Sequence, residues 1–435
     1  MPIPKGPRFG LLTTLSYIRN PYGFFERTVS RYGQPFGCHT MGGPLVLSGR
    51  PEDVKDIFRA DPMIFEPWNV DMLEPVLGSN SVILTSGTKH REYRKLLTPP
   101  FHGQRMRSYA QRMATAAHDC ASEWLEGENF RAYNFTQSVS LEVILDTVFG
   151  VTDPAVRGEL KALLPELLDL GNGLPMFLKF LRLPVIPSWR RFTAVRKKTD
   201  RLIRRQIHDR ALADDGGDDI LSMLLRAEYD DGSRMEELEV RDQLLSILSA
   251  GHETTAIAMA WTLYWLHRHP EKLDRLLEEI SQRAPTGDPE ALTQIPYLDA
   301  VVNESLRIHP VIPDVPRKLC QDAELMGCKL KAGTSVGAVA FLTHRDPDIY
   351  EEPEKWIPER FLDRKFTPFE FYPFGGGNRR CIGAAFASFE AKVVLGTILT
   401  SYRFQLLDNR PLSVERRHVT LMPQGGVRMK YLGQR

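Results

Sequence analysis

Cys381 closes a glycine-rich loop, Phe374-Gly-Gly-Gly-Asn-Arg-Arg-Cys381-Ile-Gly383, and stands just before an apolar helical pattern from Ala384 to Ser401. Gly375, Gly376 and Gly377 permit a tight path with positive φ and close approach to a flat object. A thiol ahead of a helix N-terminus meets the dipole and the free N–H groups, and both favour the thiolate. Gly383 lets backbone amides point at the sulfur with no side chain in the way. A thiolate so placed can be a nucleophile, a redox thiol or an axial metal ligand, and the bland alternative is an inert buried cysteine. The glycines do not read as a phosphate cradle, because the segment is not G-x-x-x-x-G-K-[ST] and no clear strand precedes it.

Three further constellations could do chemistry. In Ala250-Gly-His-Glu-Thr-Thr255, Thr254 can bond back to the carbonyl of Ala250, and Gly251 eases the resulting bend. Such an opening makes room for water and a small ligand, whereas a core helix with a buried threonine is the plainer alternative. The His-Glu pair is not a zinc-protease motif, because residue 256 is Ala. Glu304 and Arg307, three apart, share a helix face and can pair. His90 and Arg94, four apart, can reach one anionic group together.

These residues need elements to hold them. Helical spacing covers Pro51–Phe58, most of the stretches from about Gln104 to Val148 and from Pro154 to Ala213, a long pattern from Met235 to His269 stopped by Pro270, and Tyr297 to Ile308 before Pro310. Pro44–Leu47 reads as strand, and the alternation around Glu324–Val339 reads as β-hairpins. Ala213–Asp219 and Glu228–Arg234 read as polar surface turns. Residues 346–373 carry five prolines and form a long irregular stretch leading to the cysteine loop. From Leu163 to Trp189 an apolar region is broken by Pro165, Pro175, Pro184 and Pro187 and interrupted by Lys179 and Arg182. It reads as short helices and a lid-like loop. The expectation is a mainly helical α+β chain, β-richer over about 1–65, helical over about 66–310, with hairpins, irregular stretch, cysteine loop and last helix over about 311–435.

Composition narrows the function. The 435 residues carry 56 Lys+Arg against 55 Asp+Glu, a formal net charge of +1, which lacks the basic footprint of a nucleic-acid binder. Five scattered cysteines without a C-x-x-C pair exclude a dense disulfide framework and a standard zinc site, and point to a reducing compartment. The N-terminus does not read as a signal peptide. The longest apolar run, near Ala256–Leu266, is about half of the roughly 20 residues a membrane span needs. A cytoplasmic protein with no membrane anchor is expected.

The loop Phe374-x-x-Gly377-x-Arg379-x-Cys381-x-Gly383 resembles the signature of the cytochrome P-450 superfamily of haem-thiolate monooxygenases. The resemblance implies that Cys381 is the proximal ligand of haem b iron, that Phe374 covers it, and that Arg379 pairs with a haem propionate. Ala250–Thr255 resembles the family's oxygen-activation motif, Glu253 as acid and Thr254 as alcohol delivering protons to dioxygen. Glu304, Arg307 and Arg360 of Pro358-Glu-Arg-Phe resemble a structural triad that locks the irregular stretch. His90, Arg94 and Arg317 resemble further propionate partners. One large haem domain follows, with haem between the long helix and the helix after the cysteine loop, and the four other thiols structural.

By position relative to those motifs, a distal pocket draws on Ser81, Val82, Leu244, Ile247, Leu248, Ala250, Val311, Ile312, Val315 and the turn His418–Thr420 with Val419, and Asp314 and His418 stand near it as polar groups. Its aliphatic lining suits a terpenoid, steroid or fatty acid. The chain holds no reductase, so a monomer taking electrons from a separate ferredoxin or flavodoxin with its reductase is expected, and NAD(P)H acts only indirectly. Arg91, Arg94, Lys95 and Lys392 are the candidate basic face for that donor. A peroxygenase or a non-catalytic haem sensor or carrier is the alternative, disfavoured by Glu253 and Thr254.

Overall fold

A computed structural model describes residues 3–68, 70–103, 105–171, 173–213, 216–417 and 419–435. The chain falls into two compact units, one of Met1–Trp68, Ala117–Thr136 and Thr254–Arg435, the other of Asn69–Ala116 and Gln137–Glu253. Helices dominate and the sheets are small, as the α+β expectation has it.

The first unit holds all the named sheets. Its largest has five strands in the order Phe36–Thr40, Gly43–Ser48, Ser335–Ala338, Val315–Leu319 and Phe65–Pro67. Gly43–Ser48 and Ser335–Ala338 run parallel, with Leu45 opposite Ser335, and the other pairs are antiparallel. Of the expected hairpins near 324–339 only Ala323–Leu325 with Cys328–Leu330 forms one, because Ser335–Ala338 is taken by the large sheet. Two helices, Gly10–Arg19 and Pro21–Tyr32, precede the first strand. The helix Pro51–Arg59 buries Val54, Ile57 and Phe58 into a core shared with Val46, Phe65, Leu319 and Val336. Helix Pro296–Ile308 is buried almost throughout. Ala384–Ser401 matches the sequence reading at both ends, starting on Gly383 and stopping at the strand Tyr402–Leu406. Among the described residues it alone is long and apolar enough to cross a membrane, and two thirds of it, 67%, is buried, as in a core helix.

The second unit is helical. Pro154–Leu170 is capped by Asp153, which accepts from the Ala155 amide, and Pro187–Ala213 is a long helix of 27 residues. Pro165 does not break the first of these, as the sequence suggests it should. A helix-interior proline costs about 3 kcal/mol, but Leu160, Leu164, Leu167 and Leu168 bury one face, each contributing about 1.5–3 kcal/mol. The lid-like loop is tied down within this unit. Arg182 donates to the carbonyls of Asp71, Pro175 and Met176, and Lys179 pairs with Asp71 at 2.7 Å. Asp219, at the end of the acidic turn, caps Ile220–Arg226. The long helix runs Glu237–Arg268 without a break through residues 250–255, its start belonging to this unit and its last turns to the other.

Candidate active site

The cysteine loop sits on the first unit's own scaffold. Cys381 donates its amide to the Phe374 carbonyl at 2.9 Å, closing the loop three residues before the helix that starts at Ala384. Gly375 and Gly377 have φ of 65° and 62°. The tight seat is the face of helix Pro51–Arg59: a Cβ on Gly376 would stand 2.2 Å from the Phe58 ring, and one on Gly377 2.2 Å from the Phe58 carbonyl oxygen. Gly383 differs from expectation, since a Cβ there meets nothing within 4 Å and its φ of −82° needs no glycine. Cys381 itself is exposed at the surface of this loop and Phe374 is half-buried.

Arg317, on the strand Val315–Leu319, is the informative neighbour. Its guanidinium donates to the carbonyls of Ile57 (3.3 Å) and Gly376 (2.6 Å) and stacks over Phe58 and Phe65 at 5.4 Å. It is buried, and among the described residues no carboxylate pairs with it. Burial, and repulsion from the Arg379 guanidinium, push its pKa down to about 10. A buried cation facing a second cation, with carbonyls and two aromatic rings but no carboxylate beside it among the described residues, is a poor arrangement for a structural pair and suits an anionic ligand. An exposed thiol on a loop whose Gly376 carbonyl holds the Arg317 guanidinium, itself faced by Arg379, is a donor set that suits an iron-bearing dicarboxylate. Cys381 would hold the metal, and Arg317 and Arg379 would hold the carboxylates.

The support behind the loop is a buried ion network. Arg307 makes a bidentate pair with Glu304 (2.6 and 2.9 Å), both wholly buried, and donates to the carbonyls of His344, Pro353 and Lys355. Glu304 Oε1 also accepts the Ile357 amide at 2.7 Å and Arg360 Nε at 3.2 Å. Glu359 accepts from Tyr297, Lys272 and Arg275, fixing the other side of the same segment. The Tyr372 amide donates to His344 Nε2 at 3.1 Å and the Gly375 amide to the Tyr372 carbonyl, which carries the support up to the glycines. Residues 346–373 contain one short helix, Arg360–Asp363, and are otherwise irregular as read.

The second unit gathers its own set. His90 is buried and Arg94 half-buried on the helix Gly87–Leu97, four residues apart as expected. Glu253 is buried on the long helix, whereas Ile247, Ser249, Ala250 and Gly251 are less buried, and Thr254, the first residue of the other unit on the same helix, is half-buried; 247, 250, 251 and 254 have the spacing of one face. Ser81 and Val82 lie against that helix: Gln243 accepts the Val82 amide and donates to the Asn80 carbonyl, and Asp242 accepts from Asn80. Leu244 and Leu248 are buried beside these contacts. The Ser81 hydroxyl is engaged by Ser246 at 2.6 Å. Asp242, Gln243 and Ser246 escaped the sequence reading, although polar residues inside an apolar helical pattern were the available signal.

Other residues are placed differently from expectation. Val311 is buried, Ile312 and Val315 are half-buried and Val419 is exposed, while His418 and Gln104 lie outside the described residues. Asp314 is already committed within its own unit. It accepts the Tyr17 hydroxyl at 2.6 Å, and burial raises its pKa. Among the thiols, Cys38 is buried and its pKa is pushed up to about 12 by burial and Asp314, Cys120 and Cys328 are half-buried, and Cys320 is exposed with its thiol donating to the Met63 carbonyl at 3.3 Å. Of the expected docking cations, Lys95 pairs with Asp230 and Lys392 with Asp299.

A family model described as Cytochrome P450 matches residues 1–431. Proteins of Mycobacterium tuberculosis and Mycobacterium bovis, provisionally named cytochrome P450 135B1, are 35% identical over 435 residues, covering 99% of this chain and 91% of theirs. Another from Mycobacterium tuberculosis, provisionally named cytochrome P450 135A1, is 32% identical, covering 100% of this chain and 96% of its own. Among solved structures, the retinoic acid bound cyanobacterial CYP120A1 is similar with a TM-score of 0.86 and 25% identity, covering 99% of both chains. The heme domain of cytochrome P450DA gives 0.87 at 23% identity, covering 100% of this chain and 98% of its own, and shares the fold. Loop, network and likenesses agree, and the chain belongs to the cytochrome P450 family.

Proposed function

We propose that this haem-thiolate monooxygenase inserts one oxygen atom of O2 into a small apolar substrate, a terpenoid, steroid or fatty acid, while two electrons and two protons carry the other atom to water. Electrons come from a separate ferredoxin or flavodoxin with its reductase, and so from NAD(P)H indirectly. Buried Arg317, with no carboxylate partner among the described residues and facing Arg379 beside the Cys381 loop, carries the reading. When bound, haem b supplies oxygen activation, with the thiolate pushing electron density that favours O–O cleavage.

The chain's residues have separate tasks. Cys381 holds the iron from a loop whose position is set by Phe58 and the Glu304–Arg307–Arg360 network, Phe374 shields it, and Arg317, Arg379, His90 and Arg94 bind the propionates. Ala250 leaves room on the long helix. The Glu253 carboxyl and the Thr254 hydroxyl hold water and pass protons to the reacting oxygen. Ser81, Val82, Leu244, Ile247, Leu248, Val311, Ile312, Val315 and Val419 are the candidates for substrate contact, mostly aliphatic, so they exclude water and orient by shape. The retinoic acid of the cyanobacterial relative is itself an isoprenoid acid, which supports the apolar class.

The reduced, carbon-monoxide-bound spectrum of the holoenzyme tests the ligand. A red-shifted thiolate Soret band, lost in Cys381→His, is expected, and a band at the histidine-ligated position in the unaltered protein refutes the assignment. Type-I spectral shifts across a terpene, steroid and fatty-acid panel test the substrate class. A response to none of the three overturns it, and turnover with peroxide alone at full rate would favour a peroxygenase.

A further inference from the structure

The helix Gly10–Arg19 is inside out. Its polar residues face the protein: Thr13 is buried, Thr14 Oγ1 donates to the Gly10 carbonyl and accepts the Met41 amide at 3.0 Å, and Tyr17 bonds to buried Asp314. Its apolar residues face solvent. Phe9 is 76% exposed, Leu11 59%, Leu12 64%, Leu15 45% and Ile18 42%. Positions 11, 15 and 18 follow helical spacing, so the greasy side is one continuous stripe. Met41, 65% exposed, is held next to this helix by the bond of its amide to Thr14. A soluble helix buries its apolar face, and a patch of this kind marks a surface meant to be covered.

Charge says what covers it. Lys5, Arg8, Arg19, Arg27 and Arg31, in the same segment as the stripe, are exposed, and the one carboxylate within residues 5–31 is Glu26. Arg27 reaches Ser16 of the same helix. Among the described residues none of the five cations forms an ion pair with a carboxylate. A second copy of the chain laid on this stripe would bring like charges together. An apolar face rimmed by cations is the composition of a helix that lies in the plane of an anionic lipid surface.

We propose that the segment Lys5–Arg31 docks this protein peripherally on anionic lipid bilayers, with Leu11, Leu12, Leu15 and Ile18 entering the headgroup boundary. The inference is independent of the substrate reading. It differs from a membrane anchor, because the helix lies on the bilayer rather than across it.

The test is co-sedimentation of the haem-loaded protein with vesicles of phosphatidylcholine alone or mixed with phosphatidylglycerol, at low and high salt. Binding to the mixed vesicles is expected, weakened at least about tenfold by high salt or by removing phosphatidylglycerol. Leu12→Glu/Leu15→Glu should weaken it at least about tenfold through the apolar stripe. Lys5→Gln/Arg8→Gln/Arg19→Gln should do the same and reduce the salt dependence, Arg27 and Arg31 keeping the remainder. Both variants alter exposed side chains, and an unchanged carbon-monoxide spectrum and thermal midpoint show that they are folded. No binding to the mixed vesicles, or equal binding by the leucine variant, overturns the proposal. So does a concentration-dependent dimer in ultracentrifugation that the leucine variant abolishes without any vesicle binding.

Discussion

Replacing Arg307 by Met removes the guanidinium that holds the irregular stretch, and the structure sets the size of the effect. Three backbone carbonyls, those of His344, Pro353 and Lys355, lose their donor, at about 1 kcal/mol or more each when buried. Glu304 keeps the Ile357 amide and Arg360 Nε but loses its bidentate partner in a place with no solvent. Breaking a buried pair by removing one member costs about 3–5 kcal/mol. The terms overlap, so about 5 kcal/mol is expected, at the lower edge of the roughly 5–15 kcal/mol that holds a folded protein together. Glu304→Gln keeps the shape and the oxygen that accepts three of the four bonds, and its cost should be about 3 kcal/mol. At about 2 °C per kcal/mol for a large domain, the thermal midpoint should fall by about 10 °C in Arg307→Met and about 6 °C in Glu304→Gln. Hydrogen exchange localises the damage: residues 344–375 should lose protection in both variants while the strands Phe36–Thr40 and Gly43–Ser48 keep theirs. A midpoint within about 2 °C of the parent in both variants, or uniform loss of protection, would refute the argument that this network seats the cysteine loop.

Other perturbations give separate checks. Thr254→Ala should keep NAD(P)H consumption but divert electrons from product to peroxide or water, and unchanged coupling would send proton delivery by another route. Gly377→Ala should destabilise by more than about 2 kcal/mol, because its Cβ meets the Phe58 carbonyl and φ is 62°, whereas Gly383→Ala should cost the apoprotein almost nothing; equal midpoints would dismiss the seat on Phe58. Burial, aided by Arg307, pushes His344 down to about 3, and burial pushes His267 down to about 4. Both stay neutral in the fold while the unfolded chain takes up protons below pH about 6.5, so stability is full above that value and falls as pH drops toward about 3–4. His344→Gln, which keeps an acceptor for the Tyr372 amide, should lessen the slope of stability against pH between about 6 and 4, and an unchanged slope would place that proton uptake elsewhere.

What the sequence discloses and what it hides divide along range. The helix Ala384–Ser401, the pairing of Glu304 with Arg307 and the four-residue spacing of His90 and Arg94 depend on neighbours in the chain, and periodicity with capping is enough to place them. The seat of Gly376 and Gly377 on Phe58 joins residues more than three hundred positions apart, and no local pattern announces it. The bond from Tyr17 to Asp314 is of the same kind, so Asp314 looked available to a substrate when it is already used. Ser335–Ala338 alternates like a hairpin strand, and only its pairing with Gly43–Ser48 shows that it belongs to the large sheet. Pro165 shows the reverse failure, a strong local rule overridden by four buried leucines. The inverted helix Gly10–Arg19 could not be oriented from periodicity, which gives the stripe but not the side that faces in.

The parallel pairing of Gly43–Ser48 with Ser335–Ala338 also sets a schedule. The two strands are about 290 residues apart, so at about 5–20 residues per second the earlier one waits some 15–60 s on the ribosome for its partner. Phe36–Thr40 can form its hairpin meanwhile, but a two-stranded ribbon is marginal alone. For most of synthesis the first fifty residues, greasy helix included, have no sheet to dock on. Their protection during that interval falls to chaperones or to whatever surface the nascent chain meets first.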